Sequence, residues 1–300
     1  MQQENLTKSR IWLLAARPKT LPAAAAPVLL GIALAYRDSV FAFLPALASL
    51  AGAMLIQIGT NFANDYYDFK KGADTTERLG PLRVTQAGLL KPEETRLGMW
   101  LVFGAAALIG LYLVWVAGWP VVVIGLASIA AGIAYTGGPF PLGYNGLGDL
   151  FVFIFFGLVA VGGTYFVQAG GVTREVLLSA APIGLLATAI LVVNNLRDIE
   201  TDRKAGKRTL AVRLGVEGTR TEFVALVAGA YVTTFILALT GVSPPGGLLT
   251  WLSLPIAVPL VRSVRKVRGK ALNEALARTG RLELVFALLF SLGLIISNFD

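Results

Sequence analysis

The chain consists of long apolar runs separated by short polar stretches. An α-helix needs roughly 20 mostly apolar residues to cross the hydrocarbon core of a bilayer, and the runs are close to that length. None of them carries Lys, Arg, Asp or Glu at mid-depth. The pattern predicts an all-α integral membrane protein with nine transmembrane helices, near 20–36, 41–62, 97–117, 119–136, 149–168, 176–195, 222–241, 247–262 and 283–298.

The distribution of Lys and Arg predicts the orientation of these helices. If the N-terminus is cytoplasmic, 24 of the 26 cationic residues lie in or at the edge of cytoplasmic segments, and only Arg37 and Arg174 lie outside. Cytoplasmic loops of membrane proteins are enriched in cations in this way. The sequence therefore predicts one polytopic membrane domain over residues 1–300, with the N-terminus in the cytoplasm and the C-terminus outside.

The composition agrees with a membrane protein and narrows the possible chemistry. Hydrophobic residues make up 55% of the chain and charged residues 15%. The chain has no Cys and no His, which excludes disulfides, thiolate nucleophiles and imidazole acid–base catalysis. The net charge of +8 is explained by membrane orientation, so no nucleic-acid partner is expected.

Two acidic clusters follow the second and sixth predicted spans. The first contains Asn61, Asn64, Asp65, Asp68 and Asp74, and the second contains Asn194, Asn195, Asp198, Glu200 and Asp202. Spacings of three or four residues align side chains on one face of a helix. Polar groups that begin inside an apolar span are costly and usually functional. We therefore expect two polar stripes at the cytoplasmic mouth of the bundle; the alternative is that these acids only neutralise basic loops as surface salt bridges.

Carboxylates gathered at one mouth repel one another unless cations compensate them. Oxygen ligands without His or Cys favour a hard cation, and Mg²⁺ typically uses one or two carboxylates together with substrate phosphates. The clusters are flanked by cations that are suited to bind phosphate oxygens: Lys71, Arg78, Arg83, Arg197, Lys207 and Arg208. The arrangement is typical of a site for a diphosphate held through magnesium.

Five segments of the chain resemble the UbiA superfamily of intramembrane prenyltransferases. They are RPKT at 17–20, NDYYDFKKGAD at 64–74, RLGPLR at 78–83, YTGGPFPLGYNGLGD at 135–149 and NNLRDIETDRKAGKRTLAVRLG at 194–215. The resemblance covers essentially the whole chain and is strongest to the branch that prenylates 1,4-dihydroxy-2-naphthoate in menaquinone synthesis. It implies a bacterial cytoplasmic membrane enzyme that transfers a polyprenyl group from polyprenyl diphosphate to this acceptor, releasing diphosphate and CO₂ to give demethylmenaquinol.

The resemblance also implies roles for individual residues. Two Mg²⁺ ions would be held by Asn64, Asp68, Asp74, Asn195, Asp198 and Asp202, with Asp65 completing the set. The diphosphate donors would be Lys71, Arg83 and Arg197, followed by Lys207 and Arg208. Tyr135, Tyr144 and Asp149 lie in or beside a loop without cations and are candidates to orient or deprotonate the acceptor; the alternative is interfacial anchoring and loop capping. Asp149 stands where many members carry Glu.

The fifth span is a candidate to line the isoprenoid tail. It is rich in Phe and contains Gly157, Gly162 and Gly163, although small residues also serve close helix packing. Two other functions stay open from the sequence. One is prenylation of another aromatic acceptor, such as 4-hydroxybenzoate or homogentisate. The other is secondary transport, which is disfavoured because transporters usually place ionisable groups near mid-membrane.

Overall fold

The structure, a computed structural model, describes residues 6–73 and 79–297 and is built from α-helices. They are α1 (Lys8–Ala16), α2 (Leu21–Arg37), α3 (Phe43–Lys70), α4 (Pro92–Ala117), α5 (Pro120–Ala134), α6 (Gly148–Val152), α7 (Ala160–Ala169), α8 (Arg174–Lys204), α9 (Leu210–Leu239), α10 (Leu254–Val264) and α11 (Leu272–Ile296). Short 3₁₀ turns precede α2, α6, α10 and α11, and a π-helical stretch, Phe153–Val159, joins α6 to α7. The described residues contain no β-strand.

The predicted fold class is confirmed. In the described part of the chain, eight helical segments are long and apolar enough to cross a membrane, and α5 is a shorter apolar helix of 15 residues. Together they match the nine predicted runs. The chain is a multi-pass integral membrane protein.

The centre of the bundle is formed by α2, α8, α9 and α11. Large side chains from these helices are completely buried against one another, among them Leu34, Leu186, Phe223 and Phe286. By contrast, α4 and α5 present apolar side chains such as Leu108 outward, as expected for a surface that faces lipid. The most rigid part of the molecule therefore includes α8, which carries one of the two acidic clusters.

The helices extend further than the apolar runs at the end that carries the acidic clusters. The second run was expected to end near residue 62, but α3 continues to Lys70, and the sixth was expected to end near 195, but α8 continues to Lys204. Hydropathy detects only the segment in hydrocarbon, whereas a helix continues into water when side-chain contacts stabilise it. The acidic residues up to Asp68 and Asp202 therefore lie on regular helix, as their spacing predicted.

The last helix begins before its predicted apolar run. The run was expected to start near residue 283, whereas α11 starts at Leu272, because hydropathy does not detect the polar first turns of the helix. Glu283 therefore lies near the middle of the 25-residue α11, where it is fully buried.

Arg37, one of the two cations predicted to lie outside the cytoplasm, forms two ion pairs. It pairs with Glu175 and, at 2.7 Å, with Asp38. This pairing neutralises Arg37 at the end of the bundle opposite the acidic clusters.

Candidate functional site

Asp68, in the last turn of α3, is the best-connected carboxylate of the first cluster. It is 2% exposed. Arg83 donates to its Oδ2 at 2.8 Å, and the Tyr144 hydroxyl donates to its Oδ1 at 2.5 Å. A loop before α4 and a loop before α6 therefore meet at one side chain of α3.

The neighbouring polar residues of α3 fix the same two loops. Asp65 is buried and accepts a hydrogen bond from the backbone N–H of Val84 at 3.2 Å. Asn64 accepts a hydrogen bond from the Thr136 hydroxyl at 2.9 Å. Asn64 and Asp65 therefore bind the same two loops to α3 that Asp68 contacts.

The second cluster is organised by a buried ion pair on α8. Arg197 donates to both carboxylate oxygens of Asp198, from Nε at 2.8 Å and from Nη2 at 2.5 Å. The side chain of Arg197 is 0% exposed. Arg197 was expected to bind diphosphate; the structure instead shows a guanidinium that is held by protein groups and orients Asp198.

A single ammonium group joins the two clusters. Lys207 Nζ lies 3.4 Å from Asp202 Oδ1 and 3.9 Å from Asp68 Oδ1. It also lies 4.5 Å from the centre of the Tyr144 ring. The acidic stripes of α3 and α8 thus converge, and the gap between them holds a positive charge.

Lys71 also lies over the Tyr144 ring, with its Nζ 5.1 Å from the ring centre. Its Nζ donates to the backbone carbonyls of Thr136 at 2.8 Å and Gly138 at 3.1 Å. Partial desolvation lowers the pKa of Lys71 below its ordinary value, and the nearby carboxylate of Asp68 opposes that shift. Two lysines therefore flank one tyrosine at the convergence point.

Three further predicted residues have less defined surroundings. Asn195 is buried at 7% exposure, one turn before Asp198. Arg208 has an exposed side chain, and its backbone N–H donates to the Tyr144 carbonyl at 2.7 Å. Asp74, together with Arg78, lies outside the described residues.

The donor set is suited to Mg²⁺ that is shared with a phosphate ligand. In residues 6–73 and 79–297, no three acidic side chains are grouped closely enough to hold a metal ion by themselves. The carboxylates of Asp68, Asp198 and Asp202 are instead each neutralised by Arg or Lys. All are oxygen donors, and Mg²⁺ usually needs only one or two of them when substrate phosphates and water complete its shell. The residues present therefore fit this ion.

The candidate acceptor residues separate into two places. The Tyr144 hydroxyl is hydrogen-bonded to Asp68. Tyr135 instead lies against Gly148, the residue before Asp149. Asp149 is buried, and within the described part of the chain its Oδ1 has no hydrogen-bond partner. Tyr144 therefore belongs with the carboxylates, and Tyr135 and Asp149 form a separate pair beside them.

A largely apolar cavity of about 350 Å³ begins next to this pair and runs between α2, α3, α4, α5 and the α6–α7 segment. Tyr135 lines it, as does Thr60, which is one helical turn from Asn64. Phe155 and Gly163 line it from the fifth span. The cavity thus starts at Thr60, one helical turn before Asn64 on α3, and extends among apolar side chains.

The glycines of the fifth span divide between two roles. Gly163 faces the cavity, whereas Gly157 packs against α8, where an added Cβ would lie only 2.8 Å from the Gly184 Cα. Gly157 thus serves close helix packing, whereas Gly163 is one of the residues that line the cavity.

Two uncharged residues of the site were not identified from the sequence. Thr136 contacts both Asn64 and Lys71, and Asn273 accepts a hydrogen bond from Arg197 at 2.8 Å. Thr136 lies inside the YTGGPFPLGYNGLGD segment, so the sequence resemblance could have identified it as a site residue. Asn273 lies alone among helix-forming residues, and no sequence pattern points to it.

Comparison with known proteins gives three concordant findings. The model of the UbiA prenyltransferase family matches residues 24–295. The chain is 39% identical to "1,4-dihydroxy-2-naphthoate octaprenyltransferase" of Escherichia coli (strain K12), over 99% of each chain, and 37% identical to the protein of that name in Bacillus subtilis (strain 168), over 96% of this chain and 93% of the relative. Its fold is similar to that of a UbiA homologue from Archaeoglobus fulgidus, solved bound to DMAPP and Mg²⁺, with a TM-score of 0.69 at 15% identity over 95% of this chain and 99% of that one.

Proposed function

The chain belongs to the UbiA prenyltransferase family, and from this we propose that it transfers a polyprenyl group from polyprenyl diphosphate to 1,4-dihydroxy-2-naphthoate. The prenyl group replaces the carboxylate of the acceptor, so that diphosphate and CO₂ are released and demethylmenaquinol is formed. The names of the bacterial relatives support this acceptor. The observation that carries the proposal is the convergence of carboxylates from α3 and α8 around Lys207, with Thr60, about two helical turns before Asp68 on α3, lining an apolar cavity.

The convergence point has the charges that a departing diphosphate needs. Breaking the allylic C–O bond leaves the electron pair and growing negative charge on the diphosphate. Mg²⁺ held by Asp68, Asp198 and Asp202 would neutralise part of that charge. Lys71 and Lys207 are the cations best oriented to take the remainder, because both ammonium groups flank the Tyr144 ring at the same point. Arg83 and Arg197 contribute by holding Asp68 and Asp198 in place.

The apolar cavity supplies the second requirement, which is protection of the allylic cation from water. Its walls are mainly aliphatic and aromatic side chains, and its polar end is formed by Tyr135, Gln57 and Thr60. A diphosphate bound beside Asp68 would direct its isoprenoid tail along this cavity and away from solvent. The same walls exclude water from the carbon that the acceptor ring attacks.

The acceptor is proposed to bind between the diphosphate and the pair Tyr135 and Asp149. Tyr135 lines the cavity, so its hydroxyl is available to a ring that enters from the acidic side. The unpartnered Oδ1 of Asp149 is the nearest candidate to orient the acceptor hydroxyl or receive its proton. Attack by the ring carbon that bears the carboxylate forms the new C–C bond, and loss of CO₂ restores aromaticity.

The test is a product analysis with purified protein. The protein is incubated with Mg²⁺, a polyprenyl diphosphate and either 1,4-dihydroxy-2-naphthoate, 4-hydroxybenzoate or homogentisate, and the products are identified by mass. We expect prenylation of the naphthoate, with a product mass that shows the loss of CO₂. Consumption of 4-hydroxybenzoate or homogentisate with no naphthoate product would refute the acceptor, and accumulation of an unmodified solute in proteoliposomes without any prenylated product would indicate transport.

The proposed location is the bacterial cytoplasmic membrane, with the acidic clusters on the cytoplasmic side. The cation distribution supports this orientation. Because the chain has no Cys, Val172→Cys and Glu274→Cys each introduce a single thiol at opposite ends of the bundle. A membrane-impermeant maleimide added to intact cells should label Val172→Cys only; labelling of Glu274→Cys alone would reverse the orientation.

A further inference from the structure

Asn273, in the first turn of α11, touches both acidic segments at once. Its Nδ2 donates to the backbone carbonyl of Leu79 at 2.9 Å, and its Oδ1 accepts a hydrogen bond from Arg197 Nη1 at 2.8 Å. Leu79 belongs to the loop that follows the cluster on α3, and Arg197 belongs to the cluster on α8. One neutral side chain on a third helix therefore links two segments that are far apart in the sequence.

On the α8 side, Asn273 completes the hydrogen bonding of a buried guanidinium. Nε and Nη2 of Arg197 bind Asp198, and Nη2 also binds Asn194 at 2.8 Å. Nη1 points the other way, to Asn273. The guanidinium is planar, so the hydrogen bond from Nη1 to Asn273 sets the orientation of the whole group. It thereby sets the direction in which Nε and Nη2 hold the Asp198 carboxylate.

On the α3 side, Asn273 anchors the loop that reaches the first cluster. From Leu79 this loop continues to Arg83, which donates to Asp68, and to Val84, whose N–H donates to Asp65. The side chain of Leu79 also lies near Gly269, just before α11. The start of α11 is thus the surface against which this loop is held.

We propose that Asn273 is a positioning residue that holds the two diphosphate-binding segments at a fixed separation. An amide is suited to this position because it donates through one atom and accepts through the other, whereas a carboxylate only accepts and an aliphatic side chain does neither. Asn273 acts through Arg197 and the 79–84 loop and does not itself touch substrate. The inference rests on the proposed function, since it assumes that the two clusters bind one diphosphate.

Two substitutions separate the two contacts. Asn273→Leu removes both, and Asn273→Asp keeps an acceptor for Arg197 but loses the donor to Leu79. We expect the KM for polyprenyl diphosphate to rise about tenfold or more in Asn273→Leu and by a smaller factor in Asn273→Asp, while the KM for the aromatic acceptor stays within about twofold of wild type. Glu274→Gln is the matched control, because Glu274 is on the same turn and its side chain is 81% exposed.

A binding measurement gives a readout that is independent of turnover. Titration of the purified protein with inorganic diphosphate in the presence of Mg²⁺ should show weaker binding in both Asn273 variants and unchanged binding in Glu274→Gln. Combining Asn273→Leu with Arg197→Lys should weaken binding less than the two single effects predict, since both act on the same contact.

The outcomes distinguish this inference from the proposed function. If wild type prenylates an aromatic acceptor but both Asn273 variants bind diphosphate as wild type does, Asn273 is not a positioning residue. If wild type forms no prenylated aromatic product, the proposed function fails, and diphosphate titration still reports on Asn273. If Asn273→Leu does not fold, as judged by its melting temperature, the Asp variant decides: an unchanged KM for the diphosphate would overturn the inference.

Discussion

Replacing Tyr144 by Phe removes one hydroxyl from the convergence point and leaves in place the ring that contacts Lys71 and Lys207. The hydroxyl donates to Asp68 Oδ1 at 2.5 Å, and Asp68 is almost completely buried. A hydrogen bond to a charged group contributes about 1.5–3 kcal/mol. If that energy orients Asp68 for the bound diphosphate, kcat/KM for the polyprenyl diphosphate should fall roughly 10- to 150-fold.

The chain offers a matched control at the opposite end of the bundle. The Tyr165 hydroxyl donates to Asp38 Oδ2 at 2.6 Å, so Tyr165→Phe deletes the same kind of hydrogen bond away from the site. We expect Tyr165→Phe to lower the melting temperature without changing kcat/KM. The assay is product formation by each purified variant, with melting measured in the same detergent. Unchanged kcat/KM in Tyr144→Phe, or an equal loss in Tyr165→Phe, would refute the reasoning.

Three further outcomes are expected. Asp202→Asn should lower activity at least about 100-fold, because Asp202 lies in the site beside Lys207. Its melting temperature should stay near that of wild type, and wild-type turnover would exclude Asp202 from the metal site. Removing divalent ions with a chelator should stop product formation, and added Mg²⁺ should restore it; activity that persists in the chelator would contradict a metal-dependent reaction. Gly163→Leu should narrow the cavity and therefore raise the KM for a long polyprenyl diphosphate more than the KM for dimethylallyl diphosphate. An equal rise in both KM values would show that the isoprenoid tail does not lie in this cavity.

The membrane-spanning helices and the alignment of the acidic residues on them could be predicted because they depend on local chemistry. A run of apolar residues has only a helix as its stable form in lipid, and acids spaced by three or four residues align on any helix. For the same reason the stripe containing Asp68 and the stripe containing Asp198 were both recognised without knowledge of the fold.

The contacts that organise the site could not be predicted because they depend on which segments meet in space. Nothing in the charge of Arg197 shows that it binds Asp198 rather than a ligand; its complete burial follows from the packing of α8. Asn273 contacts Leu79, which lies 194 positions away in the sequence, and a lone amide in a helix has no sequence pattern that predicts such a contact. The start of α11 at Leu272 was not predicted either, because hydropathy does not detect the polar first turns of this helix.

The central claim is that carboxylates from two separate helices bind one prenyl diphosphate. It is tested most directly by the binding of a non-hydrolysable thiolodiphosphate analogue, with Mg²⁺ present, to wild type, Asp68→Asn and Asp202→Asn. The account predicts that neutralising either cluster alone weakens binding about tenfold or more, because each cluster supplies part of the same site. Tight binding that survives the loss of either carboxylate would contradict it.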